Sequence, residues 1–307
     1  RGRIMYTFGI KHTTADNMTT MLQGSQVGPT PTFFFDYSVK DLRRDITCCP
    51  FQWTKGVQTL QSFKSWSFGK LRYEWTNRMI PTGNDDGINR QYMRYADIVL
   101  MRAELENELN GASAAVPYLT KIRNRAFATS DRATEVTAYV AEAALSKEKM
   151  FQAIVDERAY EFAGELIRKA DLIRWGMLKS KMDETKNKMK AIVSLTDYDS
   201  KHPYSQLSGH AYYKMSAYTW TRNGIETTEK DAKLNLYGLN YGEMDINPEG
   251  YTEFSDSKGE ASTWIKDNAL EDVIDYLYVR DPDKYQYWPI FNVNLNDNPN
   301  LSNYEWY

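Results

Sequence analysis

The chain has 307 residues, of which 26% are charged and 42% hydrophobic, and its formal net charge is −3. This length allows one large domain or two around a sizeable core. The nearly balanced charge excludes the basic surface typical of nucleic-acid binding. No apolar run reaches the roughly 18 residues that crossing a bilayer needs. The adjacent Cys48 and Cys49 favour neither a disulfide with each other nor a metal site.

The first 90 residues predict loops and short strands. The N-terminal RGRIMYTFGIKHTT has no initiating Met and no long apolar core, so it is read as the interior of a longer chain rather than a signal peptide. Residues 50–92 are rich in aromatic side chains that are interleaved with polar ones, as in SFKSWSFGKLRYEW. An indole face can stack on a sugar ring while neighbouring polar groups bind its hydroxyls. Trp53 and Trp66 are therefore the preferred carbohydrate contacts, followed by Trp75. The alternative is that these rings point inward under the loops.

Residues 91–128 predict a helical hairpin. One side of its first helix carries an apolar strip of Tyr95, Ile98, Val99, Leu105 and Leu109. A second strip of Ala96, Leu100 and Ala103 predicts packing against neighbours on both sides. Gly111 ends this helix, Ser113 is expected to cap the next one, and Pro117 to lie in its first turn. The short connection makes the helices antiparallel, in a tetratricopeptide-like unit.

Residues 148–178 show the longest helical period in the chain. Four charged residues, Glu157, Arg158, Asp171 and Arg174, lie among its apolar positions, which predicts ion pairs that hold a packing interface. Gly164 predicts a break or a close helix contact. The lysine-rich residues 179–190 are expected to extend the helix into solvent.

Residues 197–260 are rich in Gly, Asn, Ser and Tyr and show no helical period, so they are expected to form a long loop over the surface. Long ordered loops tend to be functional, so Tyr213 and Trp220 are further candidates for ligand contact. No G-x-S-x-G turn, P-loop or metal-spaced His cluster is present. The sequence therefore predicts no catalytic residues, no metal site and no cofactor.

Three segments resemble the SusD/RagB family, and they occur in the family's order. These segments are RYADIVLMRAE, DERAYEFAGELIRKADLIRWG and the C-terminal WPIFNVNLNDNPNLSNYEWY. Leu166 stands where the family pattern has glycine, and Gly164 is expected to take over part of its role. Trp75 ranks below the other indoles because GKLRYEW resembles a buried strand of the family.

The resemblance implies a mostly α fold, in which tetratricopeptide-like hairpins are wrapped by a loop-rich region with a few short strands. It further implies that residues 1–307 are the C-terminal portion of a SusD-like lipoprotein, with 91–178 as the helical core and 1–90 and 197–307 packed around it. Such proteins bind oligosaccharides without catalysis on the outward face of the outer membrane and deliver them to a SusC-like TonB-dependent transporter. Their lipid anchor would lie outside this chain.

Two alternatives remain open. The chain could be a helical-repeat module that binds a protein and no glycan, with structural aromatics. It could also be a glycan-degrading enzyme, because paired carboxylates need only meet in space.

Overall fold

The computed structural model describes residues 3–15, 19, 24–61, 65–76, 78–80, 87–244, 246–254, 274–287 and 289–303, without residues 223–224 and without the side chains of 216–234. The helices are α1 (Ile4–Phe8), α2 (Pro31–Asp36), α3 (Arg44–Thr47), α4 (Tyr95–Asn110), α5 (Ala112–Ala126), α6 (Tyr139–Ala143), α7 (Lys147–Phe162), α8 (Arg168–Arg174), α9 (Leu178–Val193) and α10 (Asn292–Asp297). The strands are β1 (Cys48–Cys49), β2 (Phe51–Thr54), β3 (Val57–Leu60), β4 (Ser67–Phe68), β5 (Tyr212–Arg222), β6 (Ile225–Tyr237) and β7 (Thr252–Glu253). The prediction of a mostly α fold is confirmed.

The predicted hairpin of residues 91–128 is present as α4 and α5, and α7 packs against both. The strip of Ala96, Leu100 and Ala103 on α4 is buried against these two helices. Its alanines let the helix backbones approach closely. Gly111 alone joins the two helices at φ 88° and ψ 169°, a conformation that favours glycine. The expectations for the start of α5 are wrong, since Ser113 provides no side-chain cap and Pro117 lies inside the helix beyond its first turn.

The strip of larger apolar residues on α4 differs from its prediction. Tyr95, Ile98, Leu105 and Leu109 are exposed, and only Val99 of this strip is buried. The expectation that α4 packs on both sides is therefore met on one side within the described part of the chain.

The segment 148–178, with its helical periodicity, forms α7, α8 and the start of α9 rather than one helix. The break predicted at Gly164 is confirmed, because Gly164 has a φ of 78° and its Cα faces the Phe68 ring. Leu166 follows with a φ of 69°, the left-handed conformation that glycine adopts more readily. Leucine thus adopts a left-handed conformation at the position where the family pattern has glycine.

Buried ion pairs join α7 to its neighbours, as predicted from the charges among its apolar positions. Glu157 accepts hydrogen bonds from Arg43 at 2.7 Å and Arg123 at 2.8 Å. Arg158 donates to Asp171 at 2.7 Å and to Asp97 of α4 at 2.7 Å. A buried charge is tolerated only when it is paired in this way, so these bonds fix how the helices meet.

The strands form small antiparallel sheets. β1 pairs with β4, β2 with β3, and β5 lies between β6 and β7. The expectation of an irregular loop over 197–260 is wrong for 212–237, where β5 and β6 form a long hairpin. Its signal was present in the sequence, since Asn223-Gly224 is the strongest short-range indication of a hairpin.

Candidate functional site

The two aromatic-rich segments lie against each other. Residues Tyr73–Trp75 form a single 3₁₀ turn that contacts β5, and β3 contacts β6. Tyr213 on β5 is half-buried and packs on the cluster that contains Trp53 and Tyr73. Segments that the sequence presents as separate candidates therefore form one continuous part of the molecule, here called the aromatic face: residues 72–75 together with β5, β6 and β7.

Trp53 and Trp66 lie in the core. Trp53 is fully buried on β2, with His12 stacked on it at a ring-centroid distance of 6.1 Å. Trp66 is 3% exposed and meets the Phe34 ring edge-on at 5.4 Å. β2 alternates between buried and half-buried positions, and Phe51 and Trp53 take the buried ones. Neither indole presents an open face to a ligand in this conformation, so packing accounts for both.

Trp75 occupies the opposite environment. It is 53% exposed, whereas Tyr73 and Glu74 beside it are buried. The interpretation that Trp75 lies on a buried strand is wrong, because the 3₁₀ turn directs this ring outward. The Arg72 guanidinium lies 4.7 Å from the centre of the Trp75 ring system, a distance suited to a cation–π contact.

Arg72 is held firmly in this position. It donates to the carbonyl oxygen of Gly69 at 2.8 Å and lies 3.8 Å from the Glu74 carboxylate. Burial raises the pKa of Glu74, and the charge of Arg72 partly opposes this shift. Arg72 is therefore tied to the backbone on one side and places its positive charge beside the Trp75 ring on the other.

The remaining predicted residues lie on the hairpin. Tyr213 pairs in register with Leu236 and Thr252. Trp220 pairs with Thr227, but its side chain lies outside the described residues. Two further tyrosines were not singled out from the sequence: the rings of Tyr237, at the end of β6, and Tyr251, just before β7, lie 6.3 Å apart. These residues are 14 positions apart in sequence, and the fold brings them together because β6 and β7 both pair with β5.

The described residues hold no cluster of three or more His, Cys, Asp or Glu side chains arranged to bind a metal ion. Among the described helices, none has the combined length and apolar character that a membrane span would need.

The family model for SusD proteins matches residues 59–307, which include the helical core and the aromatic face. The chain belongs to the SusD family. A curated relative, SusD-like protein P25 of Formosa agariphila, is 48% identical over 90 residues, which are 29% of this chain and 16% of that protein. Among solved structures, a SusD homolog from Bacteroides thetaiotaomicron has a TM-score of 0.54 at 22% identity, and the match covers 61% of this chain and 40% of that one.

These comparisons agree with the observed fold, and their coverage shows how much of each relative this chain matches. The matches span 16% of the curated relative and 40% of the solved one, so this chain corresponds to less than half of either protein. SusD/RagB proteins form a non-catalytic binding family known for glycan binding and typically associated with the cell surface.

Proposed function

We propose that this SusD-family chain binds oligosaccharides without catalysis and that Trp75 on the aromatic face is the principal contact. The observation that supports this assignment is an exposed indole, in contact with the Arg72 guanidinium, on a turn that packs against β5. A flat apolar ring surrounded by polar groups suits the two kinds of surface on a sugar, its C–H face and its hydroxyls. Tyr213 and Trp220, on the adjoining hairpin, are the accompanying candidates.

Trp53 and Trp66 have a different part in this proposal. Both rings lie beneath the surface, and Trp53 belongs to the same buried cluster as Tyr73. In this proposal Trp53 supports the turn that carries Trp75, Trp66 packs in the core against Phe34, and neither ring contacts the sugar. Replacing either residue would therefore weaken binding only by destabilising the fold.

Family membership supports a proposal for the wider role. We infer that residues 1–307 are the C-terminal portion of a lipoprotein on the outward side of the outer membrane. The bound oligosaccharide would pass to a SusC-like TonB-dependent transporter. The second candidate function is a protein-binding helical module without glycan affinity, which the exposed apolar strip of α4 favours.

The test is calorimetry against a panel of glycans, followed by matched substitutions. Trp75→Ala is expected to weaken binding of any recognised glycan by at least about tenfold, or about 1.4 kcal/mol. Trp175→Ala is the matched control, because Arg174 lies 4.3 Å from the Trp175 ring in the same cation–π arrangement, but in the helical core. Equal affinity of the Trp75→Ala variant and the unmodified protein would refute the assignment of this residue.

The same panel separates the alternatives. An absence of binding to every glycan, together with capture of the transporter, would favour the protein-binding module. Release of reducing ends from a bound glycan would establish an enzyme in place of a binding protein.

A further inference from the structure

A buried histidine on the connection between α9 and β5 lies between two carboxylates. The side chain of His202 is 9% exposed. Its Nε2 atom lies 2.9 Å from Oδ1 of Asp36, at the end of α2, and its Nδ1 atom lies 2.7 Å from Oδ1 of Asp199. Each ring nitrogen is therefore within hydrogen-bond distance of a carboxylate oxygen, one across the fold and the other within the same turn.

Both of these oxygens already accept a hydrogen bond from a group that can only donate. Oδ1 of Asp36 accepts from the Lys188 ammonium at 2.7 Å, and Oδ1 of Asp199 accepts from the backbone N–H of Lys201 at 2.8 Å. An ionised carboxylate only accepts, and a neutral imidazole has one N–H donor and one acceptor nitrogen. To donate to both carboxylates, His202 must carry both ring protons as an imidazolium.

The neighbouring charges of α9 favour a cation at this position. Lys188 is 5% exposed, so the expectation of a solvated extension over 179–190 is wrong at this residue. It also binds Glu184 at 2.7 Å, and Lys181 binds the same carboxylate at 2.7 Å. The two aspartates and this glutamate thus face two ammonium groups, and an imidazolium supplies the third positive charge.

Tyrosines from several parts of the chain complete the surroundings of the imidazole ring. The rings of Tyr198 and Tyr204 lie 5.9 Å and 5.8 Å from it, and Tyr241 lies 6.3 Å from Tyr204. Tyr160 of α7 donates to the carbonyl oxygen of Asp36 at 2.9 Å. Burial raises the pKa of Tyr160, Tyr204 and Tyr241, so these three side chains stay uncharged around neutral pH.

We propose that His202 is an imidazolium in the folded protein and locks residues 197–207, the connection from α9 to β5, onto α2. Loss of one ring proton opens this lock on the side of α2. Asp199 belongs to the same turn, and two backbone N–H groups of the turn hold its Oδ1, so the remaining proton stays at Nδ1. The bare Nε2 then turns its lone pair toward Asp36, which keeps its bond to Lys188, and the connection loses its contact with α2.

This arrangement sets the direction of the pH dependence. A free imidazole loses its second proton near about pH 6.5. Above that value the locked protein binds one proton more than the unfolded chain, so the stability that His202 provides falls as the pH rises. Burial acts to raise the pKa of Asp199, but the hydrogen bond and the charge of His202 lower it, so this carboxylate titrates below that range. The lock does not depend on glycan binding.

Urea unfolding at about pH 5.5 and about pH 8.5 tests the lock with His202→Gln, because the amide cannot gain a proton in this range. The folding equilibrium constant of the unmodified protein, divided by that of the variant, is expected to fall at least tenfold between the two pH values. The control is His210→Gln, at a half-buried histidine that faces Glu253. Such partly exposed pairs contribute little, so its ratio should change less than about threefold. A ratio for His202→Gln that is constant, or that rises with pH, would overturn the proposal.

Nitrogen NMR of the unmodified protein, labelled at its three histidines, counts the ring protons without requiring a stable variant. The two ring nitrogens have similar chemical shifts in an imidazolium and well-separated shifts in a neutral ring. Contacts between the ring and Tyr204 assign the signals of His202. Both nitrogens of His202 are expected to be protonated at about pH 7.5, one pH unit above the value for a free imidazole. A neutral His202 ring in the folded protein at this pH would refute the lock.

Discussion

Glu157 connects two helices and a loop through one buried carboxylate. It is fully buried and accepts hydrogen bonds from Arg43, next to α3, and from Arg123 of α5. Glu157→Gln keeps the shape of the side chain but removes its charge. The buried Arg123 then loses its carboxylate partner, whereas Arg43 keeps Asp41 and Glu161. Breaking one buried ion pair costs about 3–5 kcal/mol. The amide oxygen still accepts one hydrogen bond, so we expect a loss near the lower end, about 3 kcal/mol.

Urea unfolding followed by circular dichroism measures this loss. The matched control is Glu142→Gln, which removes the partner of Lys149 in an ion pair whose side chains are both more than half exposed. Exposed pairs contribute about 0–1 kcal/mol, so the control should remain close to the original stability. The slope of free energy against urea should be unchanged in both variants if only stability has changed. A loss below about 1 kcal/mol for Glu157→Gln would refute the reasoning that this carboxylate holds the helices together.

Three further predictions concern the α7 region. Leu166→Gly should give a free energy of unfolding about 0.5–1 kcal/mol higher than Leu166→Ala. The left-handed φ costs a residue with a side chain about 1–2 kcal/mol, and the larger conformational entropy of unfolded glycine offsets about 0.5–1 kcal/mol of that difference. Urea unfolding of the two variants measures the result. Burial raises the pKa of Asp156, so its charge costs stability above the folded pKa; Asp156→Asn should stabilise the protein at pH 7, and the gain should vanish in acid. The pKa of Glu161 is lowered. Burial acts to raise it, but the hydrogen bond to Arg94 and the positive charges of Arg94, Arg43 and Arg125 have the larger combined effect. Its stabilisation is therefore complete above the unfolded pKa of about 4.3 and disappears as the pH falls through the folded pKa, so Glu161→Gln should flatten the decrease of stability between pH 5 and pH 3.

The helical core could be predicted from the sequence because its signals are local. A period of 3.6 residues identified α4, α5 and α7, and charges among apolar positions predicted the ion pairs. The partner of each charged residue could not be predicted from the sequence. Arg43 and Arg123 are far from Glu157 in sequence, and only the folded chain brings them together.

The aromatic residues could be located as candidates but not assigned to a surface. A period of two residues shows that a strand has two different faces, but it does not show which face meets the core. Trp53 was therefore preferred to Trp75 as a ligand contact, although the fold buries the first and exposes the second. The direction is decided by contacts distant in sequence, such as the stacking of His12 on Trp53.

The same turn that carries the family signature also holds the aromatic face in place. Lys70 donates to the carbonyl oxygen of Glu161 at 2.6 Å and to the Glu165 carboxylate at 2.7 Å, so the end of α7 binds the segment that leads to Trp75. The turn at Gly164 brings its backbone against Phe68, where a Cβ atom would lie 3.1 Å from the ring. Because both contacts lie within seven residues of Trp75, the charges and the glycine near the end of α7 serve the candidate binding site as well as the helices.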